Sequence, residues 1–231
     1  MRHKHLVQIV FLNFHSIMIN LINFCDLNDS ELWLVVRLYI AASIPIILAL
    51  YYIFCKKISY CYSRTLLCSF IIVALGWEIW LTYGLYDGLP VDERRSLALS
   101  CAIPIHINWL LNSLADLLII WMGLFFVKQF YKLKSSPFIK WSWPAFFILL
   151  IWFVAQNIYV EAYFYHMQLG SNGDLSWAPL QPLGSWYNPV LFKISGNPIT
   201  FQSQSSWVIM TPIVYYLSIY FYKNTLKDNS D

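Results

Sequence analysis

Charged side chains are scarce in this chain of 231 residues. Only 12% of the residues are charged, whereas 59% are hydrophobic, and the net charge is +3 with the bases scattered along the chain. A soluble globular domain carries about 25% charged residues, and a nucleic-acid-binding surface needs clustered bases. The composition therefore argues against an ordinary soluble domain and predicts no nucleic-acid partner.

Several motifs of membrane enzymes are also missing. The five histidines are too dispersed for a di-iron His box or a haem pair, so we predict no metal and no cofactor. There is no GxSxG serine elbow, no CxxC pair, and no Lys in the last apolar segment for a retinal-type Schiff base. The five cysteines show no ligand spacing and no disulfide framework, so we interpret them as small apolar residues.

What the sequence has instead is apolar segments of membrane-spanning length, with 16 Phe, 16 Tyr and 11 Trp gathered near their ends. A helix needs about 20 apolar residues to cross a bilayer, and aromatic belts mark the two interfaces. We predict an all-α, polytopic helical membrane bundle over residues 33–222. Its five spans lie at about 33–55, 66–86, 106–127, 143–166 and 206–222.

The N-terminal segment 1–32 is predicted to be an interfacial helix or a poor extra span, because Asn interrupts its apolar run at 6–24. If that run crosses the membrane, the bundle has six spans. A long connection at 167–205 is rich in Gly, Pro and Trp. Since a loop of this length is commonly either disordered or functional, we predict an ordered cap in which Trp177 and Trp186 cover the bundle.

Basic residues predict the orientation of the bundle. Most of them lie on one side, in two connecting loops and the tail: Lys56, Lys57, Arg64, Lys128, Lys132, Lys134, Lys140, Lys223 and Lys227. By the positive-inside rule these segments face the cytoplasm. The chain is therefore predicted to be an integral, multi-pass membrane protein with a cytoplasmic tail at 223–231, and the sequence leaves the kind of membrane open.

Acidic side chains occur where hydrocarbon should exclude them. Glu78 falls in the second predicted span, and the next two spans repeat a polar residue every four positions. These repeating residues are Asn108, Asn112 and Asp116, then Asn157 and Glu161. Such stripes are expected to turn inward onto one cavity, because intramembrane acids are costly and typically functional. Hydrogen bonds that merely hold the helices together are the structural alternative.

This polar set suits proton chemistry on an apolar molecule. Removal from water favours the protonated form of a carboxyl group, so Glu78 and Asp116 are the predicted catalytic pair. The ring faces of nearby tryptophans can stabilise a cation. The predicted binding residues are Trp77, Trp80, Asn108, Trp109, Asn112, Asn157 and Glu161. A proton-coupled small-molecule transporter or a non-catalytic membrane subunit would use the same residues differently.

Five features over residues 33–222 carry a family resemblance. They are five spans, Glu78 within GWEIW, Asp116 in the third span, the segment 156–159, and Trp207 followed by Pro212. In these features the chain resembles the emopamil-binding-protein (EXPERA) family, which includes the sterol Δ8–Δ7 isomerase. In that family a His lies one turn before the acid that corresponds to Glu78, near the position that Ala74 occupies in this chain. The resemblance implies that Glu78 and Asp116 move protons on a sterol-like ring, and that Trp207 helps to stabilise the carbocation.

The combined prediction is a membrane protein whose acidic and aromatic pocket binds or isomerises a lipid-like substrate by proton transfer. Its predicted partners are the lipid bilayer and a hydrophobic small molecule. If the protein is an enzyme, it is expected to be an isomerase.

Overall fold

The computed structural model describes residues 24–55, 60–85, 88–132, 135–167, 169 and 187–228, which are mostly helical. Its elements in chain order are α1 (Asp29–Phe54), α2 (Tyr60–Val73), a π-helical turn (Ala74–Glu78), α3 (Ile79–Tyr83), α4 (Val91–Arg94), α5 (Leu97–Ala102), α6 (Ile105–Phe130), α7 (Trp143–Tyr163), a 3-10 turn (Tyr165–Met167), β1 (Val190–Ile194), β2 (Asn197–Thr200) and α8 (Phe201–Asp228).

Four helical stretches are long and apolar enough to cross a membrane. They are Asp29–Phe54, Cys61–Tyr83, Ile105–Phe130 and Trp143–Tyr163. The shortest has 21 residues, which at 1.5 Å per residue gives about 31 Å, close to the hydrocarbon thickness of a bilayer. These helices coincide with the first four predicted spans and support an integral membrane protein.

The fifth predicted span lies within α8, which has 28 residues but is not among the four apolar candidates. Its first turns contain the polar run 202–206, which lowers its hydropathy. The helix nevertheless runs along the whole bundle. Near its start, the main-chain oxygen of Ser203 accepts a hydrogen bond from Asn157, and near its end Ser218 accepts one from Cys61. A count of five or six spans stays a prediction.

Two apolar clusters hold the bundle together. One joins α2, α6, α7 and α8 and contains Leu124, Phe153 and Tyr215. The other joins α1, α5 and α6 and contains Leu34 and Ile103. Burial of such side chains stabilises a packed bundle whether its outer surface meets lipid or water. The polar residues discussed below lie between these two clusters.

The start of α1 is tied to the segment before α6 by polar and covalent links. Asn28 and Glu31 form a capping box, in which each side chain accepts a hydrogen bond from the other residue's main-chain N–H. Glu31 also accepts a hydrogen bond from Ser96. Cys25 and Cys101 form a disulfide with 5.6 Å between their Cα atoms. These links fix the start of α1 against α5.

The disulfide contradicts our interpretation that none of the cysteines is paired. Its two cysteines are 76 residues apart and belong to no local motif, so their spacing carries no signal. Only the folding of α5 back onto the start of α1 brings them together. Cys55, Cys61 and Cys68 are free thiols.

Part of the predicted cap is a β-hairpin. Strands β1 and β2 pair antiparallel, and Ser195 and Gly196 both have positive φ, of 53° and 87°. Two such residues form the tight turn whose twist matches a hairpin. Asn197 donates a hydrogen bond of 2.7 Å to the main-chain oxygen of Ala162, which places the hairpin at the end of α7. Trp177 and Trp186, on which the cap prediction depends, lie outside the described residues.

Candidate functional site

A polar cavity of about 60 Å³ lies between α1, the π turn, α6 and α7. Its polar walls are Arg37, Glu78, Asn112, Asp116, Gln156, Asn157 and Tyr165, and Trp207 contributes an aromatic wall. Glu78 therefore meets Asn112, Asp116 and Asn157, which belong to the two predicted stripes, at one place. Roughly two water molecules, at about 30 Å³ each, would fill this volume.

The π turn at Ala74–Glu78 sets the position of Glu78. In this turn the N–H of Ile79 reaches back five residues to the oxygen of Ala74, which also accepts a 2.8 Å hydrogen bond from the indole N–H of Trp109. Such turns are rare and often occur at functional sites. Here the turn carries Glu78, which is 2% exposed, to the cavity wall.

The two acids of the cavity have different partners. The indole N–H of Trp77 donates a 2.8 Å hydrogen bond to Oδ2 of Asp116, which holds this oxygen as an acceptor. Glu78 receives a hydrogen bond from the Asn112 side chain, but its Oε2 has no hydrogen-bond partner among the described residues. The two carboxyl groups are close enough to interact electrostatically. The pair is therefore chemically asymmetric.

Two guanidinium groups lie beside these acids. Arg37 lines the cavity and stacks on Phe164, with 3.6 Å from its Cζ to the ring centroid. Arg94 donates to the main-chain oxygen of Leu81 and interacts electrostatically with Glu78. Burial, reinforced by the neighbouring Arg95 and opposed by Glu78, lowers the pKa of Arg94 to about 9. Arg94 is therefore still a cation at neutral pH.

The arginines place two bases near the intramembrane acids. Arg94 and Arg95 belong to a short charged segment, for which we predicted no role from the sequence. The structure folds both side chains inward, and Arg95 donates a 3.0 Å hydrogen bond to Oδ1 of Asn108. No local pattern distinguishes such a loop from a solvated one, so the sequence carried no signal for this role.

Tyr165 is a further cavity residue, for which we predicted no role from the sequence. It follows α7 in the 3-10 turn and lines the cavity. Burial raises the pKa of its phenol well above the usual range, and Asp116 and Glu78 add to this. The phenol is thus neutral at physiological pH and offers the cavity a hydroxyl donor.

Glu161 lies outside the cavity wall and has structural partners. Its Oε1 accepts hydrogen bonds from the main-chain N–H and the hydroxyl of Thr200, at 2.9 and 2.6 Å, and its Oε2 accepts one from Gln204 at 2.7 Å. The carboxylate therefore joins α7 to the start of α8. Asn157 both lines the cavity and donates hydrogen bonds to Ser203.

The remaining predicted residues lie around the cavity rather than in its wall. Trp77 contacts it through Asp116, and its ring lies 5.5 Å from that of Trp207. Trp80, Asn108 and Trp109 are absent from the described wall. Within the described part of the chain, no group of three His, Cys, Asp or Glu side chains could hold a metal ion.

Comparison with known proteins adds no assignment to this geometry. The chain matches no protein-family model, no curated protein and no solved structure.

Proposed function

We propose that this multi-pass membrane protein is a proton-transfer enzyme that isomerises a lipid-like molecule at Glu78 and Asp116. The observation that carries the proposal is the asymmetry of the two acids. Trp77 holds Asp116 as an acceptor, whereas Glu78 keeps an unpartnered oxygen, and both line one cavity. Two carboxyl groups that have different hydrogen-bond partners in one cavity can divide the roles of acid and base.

The proposed reaction moves a carbon–carbon double bond. Glu78 gives its proton to one carbon of the double bond and becomes a carboxylate, which leaves a carbocation on the other carbon. Asp116 then removes a proton from the next carbon, and that C–H electron pair forms the new double bond. Proton exchange from Asp116 to Glu78 through cavity water restores the starting state. The ring face of Trp207 stabilises the intermediate cation.

The cavity volume limits the size of the substrate. About 60 Å³ accommodates a short unsaturated segment but not a whole fused ring system, which requires a pocket of several hundred Å³. We therefore infer a slender lipid whose double bond enters the cavity. The layout resemblance to the EXPERA family supports the reaction class, whereas this volume does not favour a sterol-sized ligand.

A proton-coupled carrier is the second candidate, and the two guanidinium groups favour it. Arg37 and Arg94 oppose a carbocation through like-charge repulsion, but they would attract a small carboxylate-bearing solute. In that case the acids bind and release a proton without any bond rearrangement. The third candidate, a non-catalytic subunit, is favoured by the structural contacts of Glu161 alone.

Carbon-bound deuterium tests the enzyme proposal. Membranes containing the full chain are incubated with total lipid extract in D2O, and the lipids are washed in H2O and analysed by high-resolution mass spectrometry. We expect lipid species that retain one deuterium on carbon. The variants Glu78→Gln and Asp116→Asn should reduce this incorporation at least 100-fold, because general acid or base catalysis contributes about 10²–10⁴-fold.

Glu93→Gln is the matched control, because it removes an exposed carboxylate outside the cavity and should leave incorporation unchanged. The absence of carbon-bound deuterium above empty membranes would exclude the isomerase. Proteoliposomes then decide between the other candidates. A carrier acidifies the lumen faster than in protein-free liposomes when a small carboxylic acid is added outside, and Glu78→Gln abolishes this excess, whereas a structural subunit gives no excess.

We also propose that α8 forms a fifth crossing and that the tail lies in the cytoplasm. The contacts of α8 with both ends of the bundle support the crossing. The Cys25–Cys101 disulfide supports the orientation, because structural disulfides persist in oxidising compartments. Both cysteines lie at the end of the bundle opposite to Arg64, Lys128, Lys132, Lys140 and Lys223.

A further inference from the structure

A second cavity, of about 500 Å³, lies at the other end of the bundle. It is bounded by the start of α2, the end of α6, the turn at 136–138 and the end of α8. Its volume falls within the range of about 300–1,000 Å³ that is typical of small-molecule sites. None of the residues proposed to transfer protons belongs to this cavity.

The charge of this cavity is positive. Lys128 and Lys132 lie four positions apart and both line it, and its described wall contains no Asp or Glu. Lysines at the end of a helix also stabilise the helix dipole, and that explains why each occurs there. It does not explain why the two face one large cavity without a neutralising acid.

Aromatic rings form another part of the cavity wall. The rings of Tyr62 and Phe138 pack edge to face with centroids 6.1 Å apart, and Phe138 lies 6.3 Å from Tyr222. Nζ of Lys128 lies 5.6 Å from the centroid of Tyr62, so this lysine is oriented over the ring face. This part of the wall is therefore aromatic, and it carries one cation over the face of Tyr62.

The position of the cavity at the ends of the membrane-length helices indicates which kind of molecule it binds. Its lysines and tyrosines flank the ends of membrane-length helices, where lipid phosphates and the interfacial aromatic belt lie. Phe125 is 49% exposed and precedes Lys128 by three positions on the same helix face. A phosphate between the lysines would thus have its acyl chains alongside an apolar surface.

We propose that this cavity binds the head group of an anionic phospholipid, whose phosphate lies between Lys128 and Lys132. Basic pockets between transmembrane helices bind such head groups, and anionic lipids are concentrated in the cytoplasmic leaflet. This inference is independent of the proposed proton transfer, since the two cavities share no residue.

Calorimetric titration of the purified full chain in uncharged detergent tests the proposal. The probes are dioctanoyl phosphatidylserine, dioctanoyl phosphatidylinositol, dioctanoyl phosphatidylcholine and inorganic phosphate. We expect the two anionic lipids to bind at least tenfold more tightly than either of the other probes. The double variant K128Q/K132Q should weaken binding by roughly tenfold to thirtyfold, since each lysine near an anionic lipid contributes about fivefold.

The matched control is K140Q/K223Q, which removes the same charge from exposed lysines outside the cavity wall and should change affinity less than threefold. The variant K128R/K132R keeps the charges and should retain binding, which separates lost charge from misfolding. If both Gln pairs weaken lipid binding equally, the lipid is attracted by the surface charge as a whole, and the proposed site is wrong. Equally tight binding of inorganic phosphate, or of phosphatidylcholine, would overturn the assignment to an anionic lipid.

Discussion

Gly123 determines how closely α6 and α7 approach. A Cβ atom at this position would lie 2.9 Å from Cε1 of Phe153 and 3.0 Å from Cδ2 of Leu149. These atoms belong to the buried cluster around α8, where rings and branched chains have little room to move. The glycine therefore permits a helix–helix contact that any larger residue would push apart.

We predict that Gly123→Ala lowers the free energy of unfolding by about 1–3 kcal/mol, the usual penalty for overpacking a core. Gly76→Ala is the matched control, because a Cβ there meets no atom within 4 Å. It should be neutral or stabilising by up to about 1 kcal/mol through helix propensity. Thermal unfolding in detergent measures both, and equal effects would show that the close contact at Gly123 is unimportant.

The burial of Arg94 predicts a pH dependence of stability. Its pKa is lowered from the ordinary arginine value to about 9 in the folded chain, so from pH 9 up to that ordinary value the unfolded chain binds more protons. The contribution of this group to stability therefore rises with pH across that window. Below pH 9 both states are protonated, and burial of the charge reduces stability by a constant amount.

We therefore expect Arg94→Met to melt at a higher temperature than the unsubstituted chain at pH 7.5, by several degrees, and Arg94→Lys, which keeps a charge, to melt close to the unsubstituted chain. The gap should narrow as the pH rises above 9. Both substitutions keep a long side chain, so packing is matched. A lower melting temperature for Arg94→Met at pH 7.5 would mean that attraction to Glu78 outweighs the burial of the charge.

At the scale of single residues, the sequence predicted the acids better than their surroundings. Glu78, Asn112 and Asp116 share a cavity, because polar groups at helical spacing must turn away from lipid. The roles of Arg94 and Tyr165 were not predictable, since Arg94 ends the four-residue helix α4 and Tyr165 lies in a 3-10 turn, and neither element is long enough to show periodicity. Their inward direction depends on tertiary packing.

At the scale of elements, the carboxylate of Glu161 joins α7, β2 and α8. It satisfies the N–H of Thr200 immediately before α8 begins, which is one of the N-terminal donors that a helix leaves without a partner. The same carboxylate accepts from the Thr200 hydroxyl and from Gln204. Its contacts thus fix both the direction in which α8 starts and the base of the hairpin.

We predict that Glu161→Ala destabilises the fold by roughly 2–4 kcal/mol, because it leaves several buried donors unsatisfied. Glu161→Gln retains an acceptor for Thr200 and should have about half this effect. Hydrogen exchange at residues 197–204 should accelerate in the Ala variant before exchange elsewhere increases. Unchanged protection there would contradict a role for Glu161 in anchoring the hairpin.

Helix positions were more predictable than local irregularities. The apolar periods located α1, α6 and α7 to within a few residues, because about 20 consecutive apolar residues leave little choice of structure. The π turn and the hairpin were not predicted. A π turn depends on one hydrogen bond taken from five residues away, and the hairpin depends on a turn at Ser195 and Gly196 that resembles an ordinary loop in composition.

At the scale of the whole molecule, the disulfide closes a long loop around the first two membrane-length helices. Its cysteines are 76 residues apart, for which the chain-entropy model gives a stabilisation of about 4–5 kcal/mol. Reduction should therefore lower the melting temperature substantially. Cys55→Ser, which changes a free exposed thiol, should leave the melting temperature and its response to reductant unchanged.

The same cysteines test the proposed orientation. In sealed cells, a membrane-impermeant maleimide should label Cys25 and Cys101 only after an impermeant reductant is added. Cys55 should be labelled only after permeabilisation, because it ends α1 on the opposite side. Labelling of Cys55 in sealed cells would reverse the orientation. A cysteine introduced at Leu226 should behave like Cys55 if α8 crosses the membrane.

The π turn also affects how the sequence of such a protein can change during evolution. It holds one residue more than an α-helical turn, so deleting the Glu78 codon would leave a regular α-helical turn with α2 and α3 in nearly their present register. The cavity would then lose one of its two acids, while the packing of Tyr60–Val73 would survive. A lineage could abandon the chemistry in one mutational step without losing its fold. Among descendants of a common ancestor, a shortened turn and a replaced Asp116 are therefore expected to occur together.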